Sequence, residues 1–146
     1  MPKGQYKRTK KIRDSIRYNL KKYHDEQNKV KVKYYKKCLS SINVSDLSWL
    51  AGFFEGEGNI YIRKRKISQT GTDTETRFSI AQKNKNILLY IKKLLGCGAV
   101  HKASNGCHSY ACVSKPFLRL FLPLLLVYIK MDKRRKEIIK CLKIIK

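Results

Sequence analysis

Acidic residues are scarce in this chain. Ten Asp and Glu stand against 34 Lys and Arg in 146 residues, a formal net charge of +24. That excess is far beyond what solubility requires, and a polyanion is the implied partner. Paired cysteines are lacking as well. The count is five, with no CxxC, which argues against a disulfide framework and for reduced thiols in an intracellular setting. Cys97, Cys107, His108 and Cys112 follow no standard zinc spacing, so the thiols read as small buried groups rather than ligands. Long apolar runs are missing too: none reaches the ~18 residues of a membrane-spanning helix. The longest, Phe117 to Ile129, is interrupted by Arg119 and Pro123 and reads as a core helix and a turn. The opening residues carry no signal-peptide pattern. The length suits one compact domain with an accessory segment.

What is present concentrates between Ser45 and Gly58, SDLSWLAGFFEGEG. Ser45 is placed to cap a helix, with Asp46 at the positive end of its dipole. Leu47, Leu50, Ala51 and Phe54 recur at i, i+3, i+4 and i+7 and lay one apolar face on a core. Gly52 and Gly56, four apart on another face, let a second backbone approach closely. Glu55 and Glu57 fall at the negative end of the dipole, where a carboxylate is disfavoured by roughly 0.3 kcal/mol or more. A local violation of that kind is expected at a functional site.

Residues 1 to 38 form a very basic segment, with 14 Lys and Arg against Asp14, Asp25 and Glu26. Ile12, Ile16, Leu20 and Tyr23 recur at helical spacing, so Thr9 to about Gln27 is predicted to be an amphipathic helix whose stripe is too thin to fold alone. Lys29 to Lys37 alternates Lys with Val and Tyr and fits an extended basic arm or a second short helix. A solvated basic tail is the competing reading.

Beyond Gly58, Asn59 to Ser68 reads as a strand with Ile60 and Ile62 on one face and Tyr61, Arg63 and Arg65 on the other. A turn around Gly71 returns a second strand from about Glu75 to Ala81. Phe78 and Ile80 face the core there, Arg77 and Ser79 face away, and Lys83 lies just beyond. Two basic faces meeting across one hairpin make a cationic ribbon of the right width for a DNA major groove. Asn84 caps a helix to Leu95 with Ile87, Leu88, Ile91, Leu94 and Leu95 as its stripe. Gly96 to Gly98 stops it. A shorter hairpin, Ala99 to Ala103 and Cys107 to Ser114, offers His101, His108 and Tyr110 as further DNA-side residues. A core helix starts at Pro116 and breaks at Pro123. The last helix, Met131 to Lys146, is apolar at Ile138, Ile139, Leu142 and Ile145 and basic elsewhere.

LAGFFEGEG, Leu50 to Gly58, resembles the nine-residue signature of the LAGLIDADG homing endonucleases, with Glu at both acidic positions. FSIAQKNKN, LLGCGAV and the basic terminal helix carry the resemblance on to Lys146. The implied fold is α+β: an αββαββα saddle over residues 45–146 with its antiparallel sheet on DNA. The basic extension, residues 1–44, is similar in composition to small modular DNA-binding helices. One signature copy implies a homodimer whose signature helices meet through Leu50, Gly52, Phe53 and Gly56, with two active sites side by side. The implied activity is site-specific hydrolysis of both strands of double-stranded DNA at a long, pseudo-palindromic site.

Carried over residue by residue, the resemblance puts the metal-binding acid on Glu57 and the backbone ligand on the Gly56 carbonyl. Glu55 becomes a structural helix-end residue. Gln82 would organise water around the metal, and the basic residue near the scissile phosphate is Lys133 or, as the alternative, Lys130. The implied cofactor is Mg²⁺, with Mn²⁺ as an alternative and Ca²⁺ supporting binding without turnover. Three other classes stay open: an inactive DNA-binding repressor on the same fold, an intron RNA maturase with RNA as partner, and a general basic nucleic-acid or ribosome-binding module. No membrane partner is implied. A mitochondrion or chloroplast, a bacterial cytoplasm and a phage all remain open as the setting.

Overall fold

The computed structural model describes residues 10–66 and 71–145, with the side chains of Arg65 and Thr72 outside the description. Five helices and four strands follow in the order α1 (Lys10–Ser40), α2 (Val44–Glu57), β1 (Gly58–Lys66), β2 (Thr72–Gln82), α3 (Lys85–Leu95), β3 (Ala99–Lys102), β4 (His108–Cys112), α4 (Lys115–Leu126) and α5 (Asp132–Ile144). The strands form one antiparallel sheet in the order β1-β2-β4-β3. Helices α2 to α5 follow the signature-first order expected of the saddle, with α1 in front. No helix of the described residues is long and apolar enough to cross a membrane.

The two faces of the sheet follow from strand parity and register. Phe78 pairs with Ile60 and Cys112, and Ile80 pairs with Gly58 and Tyr110, so these side chains share one face. On that face Phe54 of α2 stacks on Phe78 at 4.9 Å, and Phe121 of α4 meets the same ring edge-on at 5.3 Å. Leu50, Ala51, Leu88, Ile91, Leu95, Phe117, Leu118 and Leu122 close the core without exposed area. Gly58 is required where α2 hands over to β1, because a Cβ there would lie 2.0 Å from the Phe54 ring.

Several local expectations are corrected. The cap of α2 is Asn43, whose Oδ1 accepts from the Asp46 N–H at 2.7 Å. Ser45 lies inside the first turn, because the chain leaves α1 only three residues earlier. The segment 29–37 is neither an extended arm nor a second helix: α1 is continuous for 31 residues. Its last turns are held by tertiary contact, with Tyr35 edge-on to Phe117 at 5.3 Å and Leu39 buried. Pro123 does not break α4, which continues to Leu126. The proline sits on the exposed side within the last turn, so it removes one N–H where little helix remains to be disrupted. In α5 the buried positions are Ile138 and Cys141, followed by Ile145 just past its end, while Ile139 stays 39% exposed. The predicted turn at 67–70 lies outside the described residues.

Candidate nucleic-acid interface and active site

The face of the sheet turned away from the helices is built from alternate residues of all four strands. β1 contributes Asn59, Tyr61 and Arg63. β2 contributes Glu75, Arg77, Ser79 and Ala81, which oppose them or continue their row. β4 adds Ser109 and Ala111, and β3 adds Ala99 and His101. Tyr61, Arg63, Arg77 and His101 are exposed and Ser79 is half-buried, so these expected residues do share one outer surface. Arg65 follows Arg63 in the same parity and pairs with Asp73; its side chain lies outside the description. Lys83 is exposed in the turn between β2 and α3.

The ribbon is less cationic than the sequence pattern suggests. Glu75 lies between its two arginines, with Oε2 at 3.1 Å from Arg63 Nη2 and Oε1 at 3.0 Å from Arg77 Nη2. The hydrogen bond from Arg77 is the main cause that holds the Glu75 carboxyl below its usual range. Asp73, on the same strand face, receives Lys115 Nζ at 3.0 Å. Both acids were legible by parity with Arg77. Asp73 precedes the predicted strand, and Glu75 is its first residue; the strand itself starts at Thr72.

Two expected DNA contacts are overturned. Tyr110 has no exposed area: it pairs with Ile80 on the helix side, and its hydroxyl donates to the Cys97 carbonyl at 2.6 Å. Burial pushes its phenol far above the usual range. His108 has the same parity as Tyr110, pairs with Gln82, and is half-buried with Nδ1 enclosed and without a hydrogen-bond partner among the described residues. The short alternation of β4 was therefore assigned in the wrong phase. Ser109 and Ala111 occupy the positions on the outer face.

At the end of the sheet where α2 stops, four features converge. Glu57 is the last residue of α2; it is exposed and its carboxylate has no hydrogen bond or ion pair among the described residues. Gln82 ends β2 two residues beyond Ile80, the partner of Gly58, and so lies at the same end. It is half-buried, and its Oε1 accepts from the Lys83 N–H at 2.9 Å. Glu55 Oε1 accepts from the Lys130 backbone N–H at 2.6 Å, which fastens the approach to α5 onto the end of α2. Arg134, which the sequence reading missed, reinforces the joint. Its Nε donates to the Glu55 carbonyl at 3.3 Å, its guanidinium lies over the Phe54 ring at 5.4 Å, and Nη1 pairs with Glu137 at 3.0 Å. Lys130 and Lys133 are both exposed beside this joint, on the lead-in and first turn of α5.

One chain offers one free carboxylate here, with the Gly56 carbonyl one residue away. No group of three or more His, Cys, Asp and Glu that could hold a metal ion exists among the described residues. An oxygen-only, one-sided donor set fits a hard divalent ion that keeps waters and takes substrate phosphate oxygens as its remaining ligands.

The outward face of α2 is open. A Cβ added to Gly52 or Gly56 would meet nothing within 4 Å. Phe53 is half-buried, stacked on Trp49 at 5.5 Å, and Trp49 meets Tyr90 edge-on at 5.8 Å. Leu50 does not belong to this face. It is wholly buried, because its place in the i, i+3, i+4, i+7 stripe turns it into the chain's own core.

The family described as LAGLIDADG endonuclease matches residues 50–145. Among curated relatives, the DNA endonuclease I-CvuI of Chlorella vulgaris is 31% identical over 96 residues, 63% of this chain and 60% of that protein. The probable intron-encoded endonuclease Cox1-I1b of Schizosaccharomyces pombe is 37% identical over 75 residues, 48% of this chain and 20% of that protein. The chain thus spans between a fifth and three fifths of the length of these relatives. Among solved structures, the homing endonuclease I-CvuI in complex with the I-CreI target matches with a TM-score of 0.62 and 30% identity, over 68% of this chain and 65% of that one. The archaeal intron-encoded homing endonuclease I-Vdi141I complexed with DNA matches at 0.53 and 25% identity, over 61% and 60%. With the signature residues Leu50 to Gly58, the four-stranded sheet and the terminal helix all inside the matched span, the chain belongs to the LAGLIDADG endonuclease family.

Proposed function

We propose that this chain is a site-specific double-strand DNA endonuclease that acts as a homodimer with Mg²⁺. The observation that carries the reading is Glu57, an exposed, unpartnered carboxylate at the end of the signature helix, beside the sheet whose outer face bears Arg63, Arg77 and His101. In the dimer two copies of Glu57 would approach across the Gly52 and Gly56 faces, and two outer sheet faces would sit on one duplex. The pseudo-palindromic target follows from that symmetry. The endonuclease names of the relatives and the DNA complexes of the structural neighbours support the substrate class.

Glu57 and the Gly56 carbonyl would hold the metal. When bound, the ion neutralises charge on the scissile phosphate and on the attacking and leaving oxygens. Gln82 offers its amide to orient the water that attacks in line. Lys130 or Lys133 stands where a cation can stabilise the added negative charge of the pentacovalent phosphate. Glu55 does not react: it braces Lys130 and α5 against the end of α2. The extension, residues 1–44, is an accessory DNA-binding segment outside the sheet surface.

Glu57→Gln tests the assignment. Supercoiled-plasmid cleavage in Mg²⁺ should disappear, while binding to the same site in Ca²⁺ stays intact or tightens, because the change keeps shape and removes the charge that holds the metal. Glu55→Gln should instead lower stability more than rate. Cleavage by Glu57→Gln at the wild-type rate refutes the catalytic assignment. A wild type that binds one site specifically but never cuts it in Mg²⁺ or Mn²⁺ points to a repressor on the same fold.

A further inference from the structure

Helix α1 is attached to the body only through its last turns. It packs on α3 and α4, through Tyr35 against Phe117 and through Cys38 beside Gly96, where an added Cβ would lie 2.8 Å from the Cys38 sulfur. Those contacts belong to the helix layer, on the side of the sheet opposite the outer face. From Lys10 to Lys31 every side chain is exposed except the half-buried Ile16. At ~1.5 Å per residue this stretch is about 33 Å of helix.

Its charge is strongly positive around most of its circumference. The helix carries 11 Lys and Arg against three acids. Lys11, Lys22, Lys29, Lys33 and Lys36, with Tyr18 among them, fall within about 60° of one another at ~100° per residue. All six are exposed. This stripe lies about 60–160° around the helix from Tyr35 and Leu39, and its six residues stay exposed when α1 docks. The row is about 38 Å long, with Asp25 and Glu26 at its edges; the cations still outnumber these acids along it, and a helix of ~10–12 Å diameter fits the ~12 Å major groove of B-DNA over part of that length while the remaining lysines reach phosphates.

We infer that α1 is a second duplex-DNA site, separate from the outer sheet face, so that one molecule holds two DNA segments at once. It rests on the DNA-binding part of the proposed function and not on cleavage. The sheet and α1 present their cations from opposite layers, which puts a second segment on α1 while the first lies on the sheet. A second copy of α1 is the poorer occupant. Leu20, Tyr23, Val30 and Tyr34 do form an exposed apolar row, but Arg17, Lys31 and Lys33 outnumber the one acid along its edges, Glu26, and would mostly face their own kind in a copy.

The test is a sandwich capture in EDTA, which removes any contribution from cleavage. A biotinylated 30-bp duplex is immobilised, the full-length protein is added, and an unrelated fluorescent 30-bp duplex is offered. The wild type should retain the second duplex. The quadruple variant Lys22→Gln, Lys29→Gln, Lys33→Gln, Lys36→Gln keeps a helix-compatible surface and should bind the first duplex while losing at least about tenfold of the second, since each lost phosphate contact removes about 0.9 from the salt slope. Its melting temperature should match the wild type, as none of the four is buried. Equal capture by the variant overturns the proposal, and so does a wild type that never retains a second duplex. Displacement by a structured RNA hairpin at lower concentration than by duplex DNA would overturn the choice of DNA. The duplex site would stand even if Glu57→Gln cut normally, and a failed capture would leave the nuclease reading untouched.

Discussion

Single side chains decide more here than their types suggest. Thr76 is 1% exposed, opposite Ile62, and its Oγ1 has no hydrogen-bond partner among the described residues. A buried hydroxyl without a partner costs about 1–3 kcal/mol of desolvation. Thr76→Val should therefore raise the melting temperature, with a gain of about 1 kcal/mol by urea titration; a loss would mean that the hydroxyl has a partner in solution. Cys97 and Cys112 lie with their sulfurs 3.3 Å apart. The hydrogen bond from Cys112 brings the Cys97 thiol down to about 7, and the same bond pushes Cys112 up. A thiol that ionises more easily when folded leaves the unfolded chain holding more protons between pH 7 and the ordinary thiol range near 8.5. Stability linked to Cys97 is thus present above that range and lost as pH falls through about 7. Comparing wild type with Cys97→Ser from pH 7 to 9, the wild type should gain stability relative to the variant; parallel curves would show that the pair does not share its proton in this way.

Whole elements show where charge is spent internally. β2 carries both Arg77, on the outer sheet face proposed to meet DNA, and Glu75, which ties up Arg77 and Arg63 together. Glu75→Gln should free both arginines. Affinity for non-specific duplex should rise at low salt, and the log K against log salt plot should steepen by about one to two units, at ~0.9 per added phosphate contact. An unchanged slope would place the two arginines off the DNA. α2 illustrates the opposite case, in which one helix divides its duties by face. Leu47, Leu50, Ala51 and Phe54 go to the core, Gly52 and Gly56 stay open, and the C-terminal end carries both a brace, Glu55, and a free acid, Glu57.

For the molecule as a whole, the open glycine face makes the assembly question clean. Nothing in the chain lies within 4 Å of a Cβ at Gly52 or Gly56, and replacing an exposed helical Gly favours the helix by up to about 1 kcal/mol. Gly52→Leu and Gly56→Leu should therefore leave the fold and its melting temperature intact or slightly improved. On the proposed dimer they should still separate the subunits, because a branched side chain cannot enter where two backbones meet. Sedimentation should give dimers for the wild type and monomers for both variants. A wild type that is monomeric on DNA would remove the paired-site arrangement.

Periodicity and composition were enough to determine the signature helix and its buried stripe, the first hairpin with Arg63 and Arg77 outward, and the Asn84 cap. These are local properties: a repeat of 3.6 or 2 residues assigns faces wherever it runs long enough to have one phase. Tertiary contact alone decided the rest. β4 is five residues long, too short for alternation to choose between His108, Tyr110 and the intervening Ser109; its pairing to β2 made the choice and buried Tyr110. Leu50 satisfies both a core stripe and a neighbour of Gly52, and only packing against the sheet assigns it inward. Arg134 carries no motif, and it is recognised only because α5 folds back over the end of α2 from 79 residues away. The last turns of α1 dock on α3 and α4, contacts between segments about 60 and 80 residues apart that no local pattern contains.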